Sequence, residues 1–267
     1  MGIFKPKELH EFLASHGVHA KKSLSQNFLI DGNILDKIVK AAEIKKDDLV
    51  YEIGPGPGAL TEKLLEAKAK VIAIEMDRTL ARALDRGQKN LTVIEADCLK
   101  FDWKNIPKKA KVVANLPYKI TTPILATLLP LYNKISTITV MVQREVALRF
   151  IAKKNTKDYS SFTIFLQFFA DAEYCFTISP NCFYPKPKVD SALVKLTLKK
   201  PPNLDHPEKF FQFVRTAFQK RRKMLRASLK KDYPNLNLAP FETARPEQLS
   251  LQDFLSLFTH ASVNNDL

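Results

Sequence analysis

The sequence predicts an α/β protein built on a doubly wound, mostly parallel β-sheet, with a small all-helical domain after it. Seven apolar, β-rich runs lie between residues 48 and 198, and helical patterns separate most of the first five. Strands that alternate with helices pair in parallel through right-handed crossovers. After residue 199 only helical patterns remain. Together these observations predict a seven-stranded sheet followed by a helical domain.

Each predicted strand is a short run rich in Val, Ile, Leu, Tyr or Phe. Helical patterns follow the first, second and fourth strands, at 59–67, up to about residue 87, and at 122–131. The seven strands are predicted at residues 48–53, 70–75, 91–97, 111–115, 136–142, 173–178 and 191–198. In folds of this kind, ligands bind at the carboxyl ends of the strands.

The last two strands are separated by a proline-punctuated loop and are predicted to form a β-hairpin at the edge of the sheet. The segment 199–207 is a linker, since its prolines stop regular structure. Helices are predicted after it, at 207–231 and 246–259. We therefore expect two domains, with boundaries 1–199 and 200–267.

The charge of the chain points to a polyanionic partner. Forty-two Lys and Arg against 28 Asp and Glu give a net charge of +14, with a pI near 9.6. An excess of this size favours nucleic acid over a membrane surface. The three cysteines include no Cys-x-x-Cys pair, and the histidines show no metal-ligand spacing, so we expect a reducing compartment and no metal. The amino terminus lacks an apolar signal core, which predicts a cytoplasmic protein.

Three of the seven glycines, Gly54, Gly56 and Gly58, fall within five residues, directly after the first strand. Such a turn needs positive φ angles or a close backbone approach. The pattern also fits a dinucleotide fingerprint, but Pro55 and Pro57 remove two N–H groups that a diphosphate would use. The turn therefore suits a nucleoside cofactor without phosphates better than it suits a dinucleotide.

Two acidic residues close neighbouring strands. Glu75 lies 21 residues after Gly54, where a carboxylate can accept hydrogen bonds from both ribose hydroxyls. Asp97 ends the third strand, and it either accepts from an adenine amino group or caps the following turn. The combination fits S-adenosylmethionine better than NAD.

The fourth strand ends in Asn115-Leu116-Pro117-Tyr118, which suits transfer to an exocyclic amine. The lone pair of such a nitrogen is delocalised into the purine ring, so two acceptors aimed at its hydrogens would localise it. Asn115 supplies one acceptor, and a main-chain carbonyl of Leu116-Pro117 supplies the other. Tyr118 offers a flat face for an extruded base.

With these residues the chain resembles the ribosomal RNA adenine N6,N6-dimethyltransferases. Eight blocks match the family in order and cover nearly the whole chain. They are KKSLSQNFL (21–29), EIGPGPGALT (52–61), VIAIEMD (71–77), ANLPY (114–118), MVQREVALR (141–149), FYPKPKVDSALVKL (183–196), AFQKRRKMLRASL (217–229) and RPEQLS (245–250).

The resemblance implies a Rossmann-like class I methyltransferase fold with S-adenosylmethionine as cofactor. It implies cofactor contacts for Asn27, Leu29, Gly54, Glu75, Asp97 and Asn115. It further implies that Tyr118 stacks on the target base and that Phe183 covers the other face of that base. Ser25 departs from the family, which has Gly there, and a left-handed backbone at this position would be strained.

A basic segment follows in the helical domain. Between Phe210 and Lys231 there are eight basic residues and no acidic one, including the run Lys220-Arg221-Arg222-Lys223. This run is predicted to bind RNA phosphates, and Lys5, Lys7, Lys21 and Lys22 extend the basic surface.

The resemblance implies dimethylation of two adjacent adenosines in the 3′-terminal hairpin of small-subunit (16S) rRNA, within a pre-ribosomal 30S particle, by a monomer. Two alternatives stay open: a large-subunit rRNA methyltransferase of the macrolide-resistance type, and a non-enzymatic RNA-binding assembly or transcription factor on the same scaffold. The intact Glu75, Asp97 and Asn115 favour retained catalysis. A NAD-dependent enzyme is a more distant alternative.

Overall fold

The computed structural model describes residues 6–17, 26–85, 87–117, 120–234 and 236–263, with side chains up to residue 260. The chain forms two compact units. The first unit comprises the described residues up to Ala147 together with Asp171–Lys200, and the second comprises Leu148–Ala170 and the residues from Pro201 onward. The predicted boundary at residue 199 therefore differs in one segment, 148–170, which packs with the second unit.

The strands form one large and one small sheet. They are β1 (Phe28–Leu29), β2 (Leu49–Ile53), β3 (Lys70–Glu75), β4 (Leu91–Glu95), β5 (Ala110–Asn115), β6 (Ile135–Gln143), β7 (Ala170–Ile178), β8 (Phe183–Tyr184) and β9 (Ser191–Leu198). The large sheet has seven strands in the order β4-β3-β2-β5-β6-β9-β7, and the small one pairs β1 with β8. The seven predicted strands are thus confirmed, and the adjacent β7 and β9 form the edge that the hairpin prediction required.

The pairings within the large sheet are parallel from β4 to β6 and antiparallel between β6 and β9. Parallel strands are buried on both faces and so read as continuous apolar runs, which is why the sequence predicted them well. The carboxyl ends of β2, β3, β4 and β5 consequently meet at one edge. Each of these strands ends near a residue that the sequence analysis singled out.

The helices are α1 (Pro6–Ser15), α2 (Gly32–Ala41), α3 (Ala59–Glu66), α4 (Arg78–Leu84), α5 (Thr121–Leu128), α6 (Arg144–Phe150), α7 (Ser161–Phe169), α8 (Pro207–Phe218), α9 (Leu225–Leu229) and α10 (Leu251–Val263). Several begin at a side-chain cap that fixes where the helix starts. Asp31 accepts from the Ile34 N–H at the start of α2, and Asp77 accepts from the Thr79 N–H at the start of α4. None of the helices in the described part of the chain is long and apolar enough to cross a bilayer.

The core of the first unit lies between the large sheet and the helices α2 and α3. Leu35 and Ile38 of α2 and Leu64 of α3 pack with Val50 and Val71 of the sheet. A second cluster packs α1 against α4 and against β1. It consists of Leu9, Phe12, Leu13, Phe28, Leu80 and Ala83.

The second unit is held by a cluster of aromatic rings. Phe168 of α7 lies with its ring centroid 5.7 Å from that of Phe210 and 5.1 Å from that of Phe211, both on α8. Phe210 in turn meets Phe258 of α10 edge-on at 5.5 Å. These contacts explain why 148–170 belongs to this unit: the apolar face of α7 is buried by α8 and α10.

The predicted single helix over 207–231 is wrong, because α8 ends at Phe218 and a short α9 begins only at Leu225. Met224, between them, has a non-helical backbone with ψ near 152°. The periodic apolar face of α8 stops where the four basic residues from Lys220 to Lys223 begin, so no buried stripe continues the helix. The basic run consequently lies in a turn.

Candidate active site

A cavity of about 340 Å³ opens at the carboxyl ends of β2, β3, β4 and β5. Most of the predicted cofactor-binding and catalytic residues line it: Asn27, Gly54, Glu75, Asp97, Asn115, Leu116 and Pro117. They come from four strand ends and from the segment before β1, positions up to 90 residues apart in the sequence. The topology of the sheet has brought them together.

The glycine turn has the backbone that the sequence predicted. Gly54, Gly56 and Gly58 have φ angles of 66°, 57° and 96°. A Cβ at Gly58 would also lie 2.5 Å from the Leu84 Cδ1 atom of α4, and so the third glycine serves helix packing as well as the turn. The Gly54 N–H donates to the Ile74 carbonyl oxygen at 2.9 Å, which anchors the turn to β3.

Glu75 is held in place by two backbone donors. Its Oε2 atom accepts from the Gly56 N–H at 3.0 Å, and its Oε1 atom accepts from the Asp77 N–H at 2.8 Å. The residue is only 6% exposed, and burial raises the pKa of this carboxyl despite these two bonds. The carboxylate therefore links the glycine turn to the end of β3, and both oxygens keep lone pairs for a pair of hydroxyls in the cavity.

Asp97 closes a turn after β4, where its Oδ1 atom accepts from the Leu99 N–H at 2.9 Å. The residue thus caps this turn and also lines the cavity, and its contact with an adenine amino group stays a prediction. Beside it, burial raises the pKa of the Cys98 thiol to about 11, so the sulfur is neutral at physiological pH.

Two exposed apolar side chains of the cavity escaped the sequence analysis. Met76 is 60% exposed and Leu99 is 39% exposed, and each closely follows an acidic strand-end residue. Exposed large apolar side chains in a cleft are typical of ligand sites, and here they offer flat apolar contact next to Glu75 and Asp97. The signal in the sequence was an apolar residue within two positions of each of these carboxylates.

Asn115 ends β5, and its amide is oriented by the amino-terminal segment. The Nδ2 atom donates to the Asn27 carbonyl oxygen at 3.0 Å, which leaves the Oδ1 atom as an acceptor. The Pro117 carbonyl oxygen accepts from the Ile120 N–H at 3.0 Å, so the Leu116 carbonyl is the better second acceptor of the pair. Tyr118 lies outside the described residues, as does Ser25.

Two predicted residues lie away from this cavity. Leu29 lines a smaller neighbouring cavity of about 40 Å³ together with Glu52 and Asn115. Phe183 pairs with Leu29 between β8 and β1 and is 4% exposed within the hydrophobic core. The exposed aromatic residue of this block is Tyr184, whose ring meets the His10 ring edge-on at 4.6 Å.

Glu52 is a buried acid that the sequence analysis did not single out. It is 1% exposed on β2, and the Thr61 hydroxyl donates to its Oε2 atom at 2.6 Å. Burial raises its pKa to about 8, an effect that the Thr61 bond only partly offsets. The signal was a carboxylate inside an otherwise apolar strand.

Comparison with known proteins identifies the family. A family model described as ribosomal RNA adenine dimethylase matches residues 17–262. The chain belongs to this family. The ribosomal RNA small subunit methyltransferase A of Protochlamydia amoebophila is 50% identical to it, with 97% of each chain covered. The protein of that name from Chlamydia caviae is 46% identical, with 99% of this chain and all of the relative covered.

Solved structures agree with the fold. A dimethyladenosine transferase from Plasmodium falciparum superposes with a TM-score of 0.78 at 31% identity, covering 89% of this chain and 98% of that one. The 23S rRNA methyltransferase ErmE superposes with a TM-score of 0.68 at 29% identity, covering 88% of this chain and 99% of that one. The Rossmann-like methyltransferase fold is therefore confirmed.

As a ribosomal RNA adenine dimethylase, this protein is a methyltransferase that uses S-adenosylmethionine, as the resemblance implied. The cavity fits that cofactor, because it joins the strand ends that carry Glu75 and Asp97 to a glycine turn in which two of the five residues from Gly54 to Gly58 lack an N–H. Within the described part of the chain, no group of three or more His, Cys, Asp or Glu side chains could hold a metal ion.

Proposed function

We propose that this protein transfers methyl groups from S-adenosylmethionine to the N6 atoms of two adjacent adenosines in the 3′-terminal hairpin of small-subunit rRNA. The observation that carries the proposal is the shared cavity: Asn115, whose amide is oriented by Asn27, lies in the same cavity as Glu75 and Asp97. Relatives at 46–50% identity that are named for the small ribosomal subunit support this choice of RNA.

At the cofactor end, Glu75 binds the ribose hydroxyls. Its two backbone bonds to Gly56 and Asp77 prevent the carboxylate from rotating away, so the ordering cost is met before the cofactor binds. Asp97 accepts from the adenine amino group while its Oδ1 atom holds the turn. Met76 and Leu99 provide apolar contact for the adenine ring.

At the acceptor end, Asn115 and the Leu116 carbonyl bind the target amine. S-adenosylmethionine supplies an electrophilic methyl carbon when bound. The Asn115 Oδ1 atom accepts one hydrogen of the amine and the Leu116 carbonyl accepts the other, which localises the nitrogen lone pair as positive charge develops there. Catalysis then depends on positioning and on these two acceptors, and the released proton passes to solvent.

The base itself is held by stacking. Tyr118 supplies one face in this proposal, by its position directly after Pro117 in the sequence. Phe183 supplies the other face only if its side chain leaves the core position in which it is now 4% exposed. Stacking of a flipped base on an aromatic ring is worth about 1–3 kcal/mol.

RNA binding requires a surface beyond the pocket, because the pocket reads only one base. We assign this role to Lys220, Arg221, Arg222 and Lys223, in agreement with the excess of positive charge in the chain. The substrate is the RNA within a pre-ribosomal 30S particle, and the enzyme acts as a cytoplasmic monomer.

The experiment that tests the proposal supplies tritiated S-adenosylmethionine and small ribosomal subunits from a methylation-deficient bacterium, followed by nucleoside analysis of the RNA. Label in N6,N6-dimethyladenosine near the small-subunit 3′ end is the expected result. Labelling of large-subunit RNA instead would favour the macrolide-resistance activity. Tight RNA binding without transfer to either RNA would favour a non-enzymatic assembly factor.

A further inference from the structure

The loop between α6 and α7 carries positive charge that the sequence analysis did not use. Lys153, Lys154 and Lys157 are all exposed on it. The loop is held by hydrogen bonds on both sides of its centre. The Asn155 N–H donates to the Glu247 carbonyl oxygen at 2.8 Å, and the Thr156 hydroxyl donates to the Lys153 carbonyl oxygen at 2.7 Å.

The next residues anchor the loop in the core of the second unit. The Tyr159 N–H donates to the Thr156 carbonyl oxygen at 3.2 Å. The Tyr159 ring is 1% exposed and lies 6.2 Å, between centroids, from the ring of Phe218 at the end of α8. The three lysines therefore project from a backbone with defined partners at both ends, unlike charges on a free tail.

A direct bond joins this loop to the basic turn after α8. The Arg221 Nη2 atom donates to the Thr156 carbonyl oxygen at 2.9 Å, across 65 positions of sequence. Arg221 is half-buried, whereas Lys220, Arg222 and Lys223 are exposed. The turn is itself closed by the Lys223 N–H, which donates to the Lys220 carbonyl oxygen at 2.7 Å.

We propose that the loop and the turn form one binding surface for the phosphate backbone of the substrate RNA, with Arg221 as the residue that positions one segment against the other. We call this the composite basic surface, made of Lys153, Lys154, Lys157, Lys220, Arg222 and Lys223. The inference rests on the proposed function and deepens it, because it adds three phosphate-binding residues and changes the role of Arg221.

Physical chemistry favours RNA as the occupant. Double-stranded RNA is recognised mainly through its shape and through contacts to its phosphates and 2′-hydroxyls, which suits cations held at fixed positions. The apolar faces of the flanking helices are turned inward, since Phe210, Phe213 and Leu225 are each 0% exposed. These two helices therefore turn their apolar faces into the core, whereas an amphipathic helix at a membrane surface would turn its apolar face outward.

Arg221 suits the positioning role because a guanidinium has five donors in a rigid plane. One donor holds the Thr156 carbonyl, and a Lys at this position would lack the planar fork. Arg222, its exposed neighbour, has the same charge and a solvent-facing position. The two arginines are therefore matched probes, one for positioning and one for direct phosphate contact.

The first test measures the affinity for methylation-deficient small subunits across a range of salt concentrations. The triple variant K153A/K154A/K157A should bind more weakly, with a log Kd against log salt slope smaller by about 2 to 3, from roughly 0.7–0.9 per lost phosphate contact. The matched control K46A/K104A/K108A removes three exposed lysines of the first unit and should leave the slope unchanged. Thermal unfolding of each variant checks that the fold is intact.

The second test separates positioning from contact. The loss of affinity caused by R221A should shrink in the K153A/K154A/K157A background, whereas the loss caused by R222A should be the same in both backgrounds. R222K should bind like the wild type, and R221K should behave like R221A. Additive effects at both arginines would overturn the positioning role.

The outcomes also separate this inference from the proposed function. If the lysine triple variant keeps its affinity and slope while R222A/K223A weakens binding, the composite surface is rejected and the proposed RNA surface stands. If neither variant changes binding although the enzyme still methylates the RNA, the RNA surface lies elsewhere and both assignments are rejected.

Discussion

Replacement of Glu52 by Gln should remove a pH-dependent loss of stability. Glu52 is 1% exposed, and burial raises its pKa from the ordinary value of 4.5 to about 8. Because the folded-state pKa lies above the unfolded-state value, the native protein keeps a proton that the unfolded chain releases. Stability therefore falls as the pH rises from about 4.5 to about 8 and levels off above that range.

The size of the effect follows from the two pKa values. One pKa unit corresponds to about 1.4 kcal/mol, so the full loss is roughly 4–5 kcal/mol, of which about 3–4 kcal/mol develops between pH 5 and pH 8. Glu52→Gln keeps a side chain that can accept the Thr61 hydroxyl, and it cannot ionise. Between pH 5 and pH 8, the free energy of unfolding of the wild type should therefore fall by about 3–4 kcal/mol more than that of the variant.

Urea denaturation of both proteins at intervals from pH 5 to pH 8.5 measures this difference. The comparison uses the change with pH, since a constant offset from the new amide cancels. Burial also raises the pKa of Glu75, so the free energy of unfolding of the variant should still fall with pH, but less steeply than that of the wild type. Equal slopes in the two proteins would refute the reasoning, because they would show that Glu52 ionises in the folded state as readily as in the unfolded chain.

Three further changes test the site and its frame. Asn115→Ala should lower the rate of methyl transfer by about 10²–10³, the typical loss for one transition-state hydrogen bond, while RNA affinity changes little; equal losses would reject its role. Glu75→Gln places an amide NH2 group opposite the N–H of Gly56 or Asp77, so one hydrogen bond is lost. Calorimetry should show S-adenosylmethionine binding weakened at least tenfold. Glu95→Gln, on the adjacent strand, should leave this affinity unchanged. Gly58→Ala should lower the free energy of unfolding in urea by about 1–3 kcal/mol, because the residue has a positive φ and its Cβ would clash with Leu84. Gly87→Ala should cost less, since its φ is also positive but its Cβ would have no neighbour within 4 Å. An equal cost would show that packing against Leu84 does not contribute.

The sheet and most of the cavity could be predicted from the sequence because both follow from local patterns. Continuous apolar runs mark strands buried on both faces, and residues directly after such strands must meet at one edge. Glu75, Asp97 and Asn115 were found by that rule. Glu52 was missed because it lies one residue inside a strand, where burial, the Thr61 hydroxyl and the charge of Glu75 determine its protonation.

The errors arose where tertiary packing overrides a local pattern. The segment 148–170 follows β6 in sequence, but the apolar face of α7 finds its partner in α8, so the segment belongs to the second unit. The helix predicted over 207–231 breaks because four consecutive basic residues offer nothing to bury after Phe218. Phe183 is buried in the core, where its backbone pairs with Leu29, 154 positions away; its predicted contact with the base is not an error of this kind and stays a prediction.

The strand-end cavity and the composite basic surface differ in how far the sequence predicts them. The residues assigned to the cofactor and to the target amine lie mostly at strand ends, so their types and order are visible in the chain as short motifs. The composite basic surface depends on one hydrogen bond between Arg221 and Thr156, and no pattern in the sequence of either segment predicts that the two are in contact. The proposed RNA surface therefore depends on a long-range contact that changes of loop sequence can alter without changing the strand-end motifs.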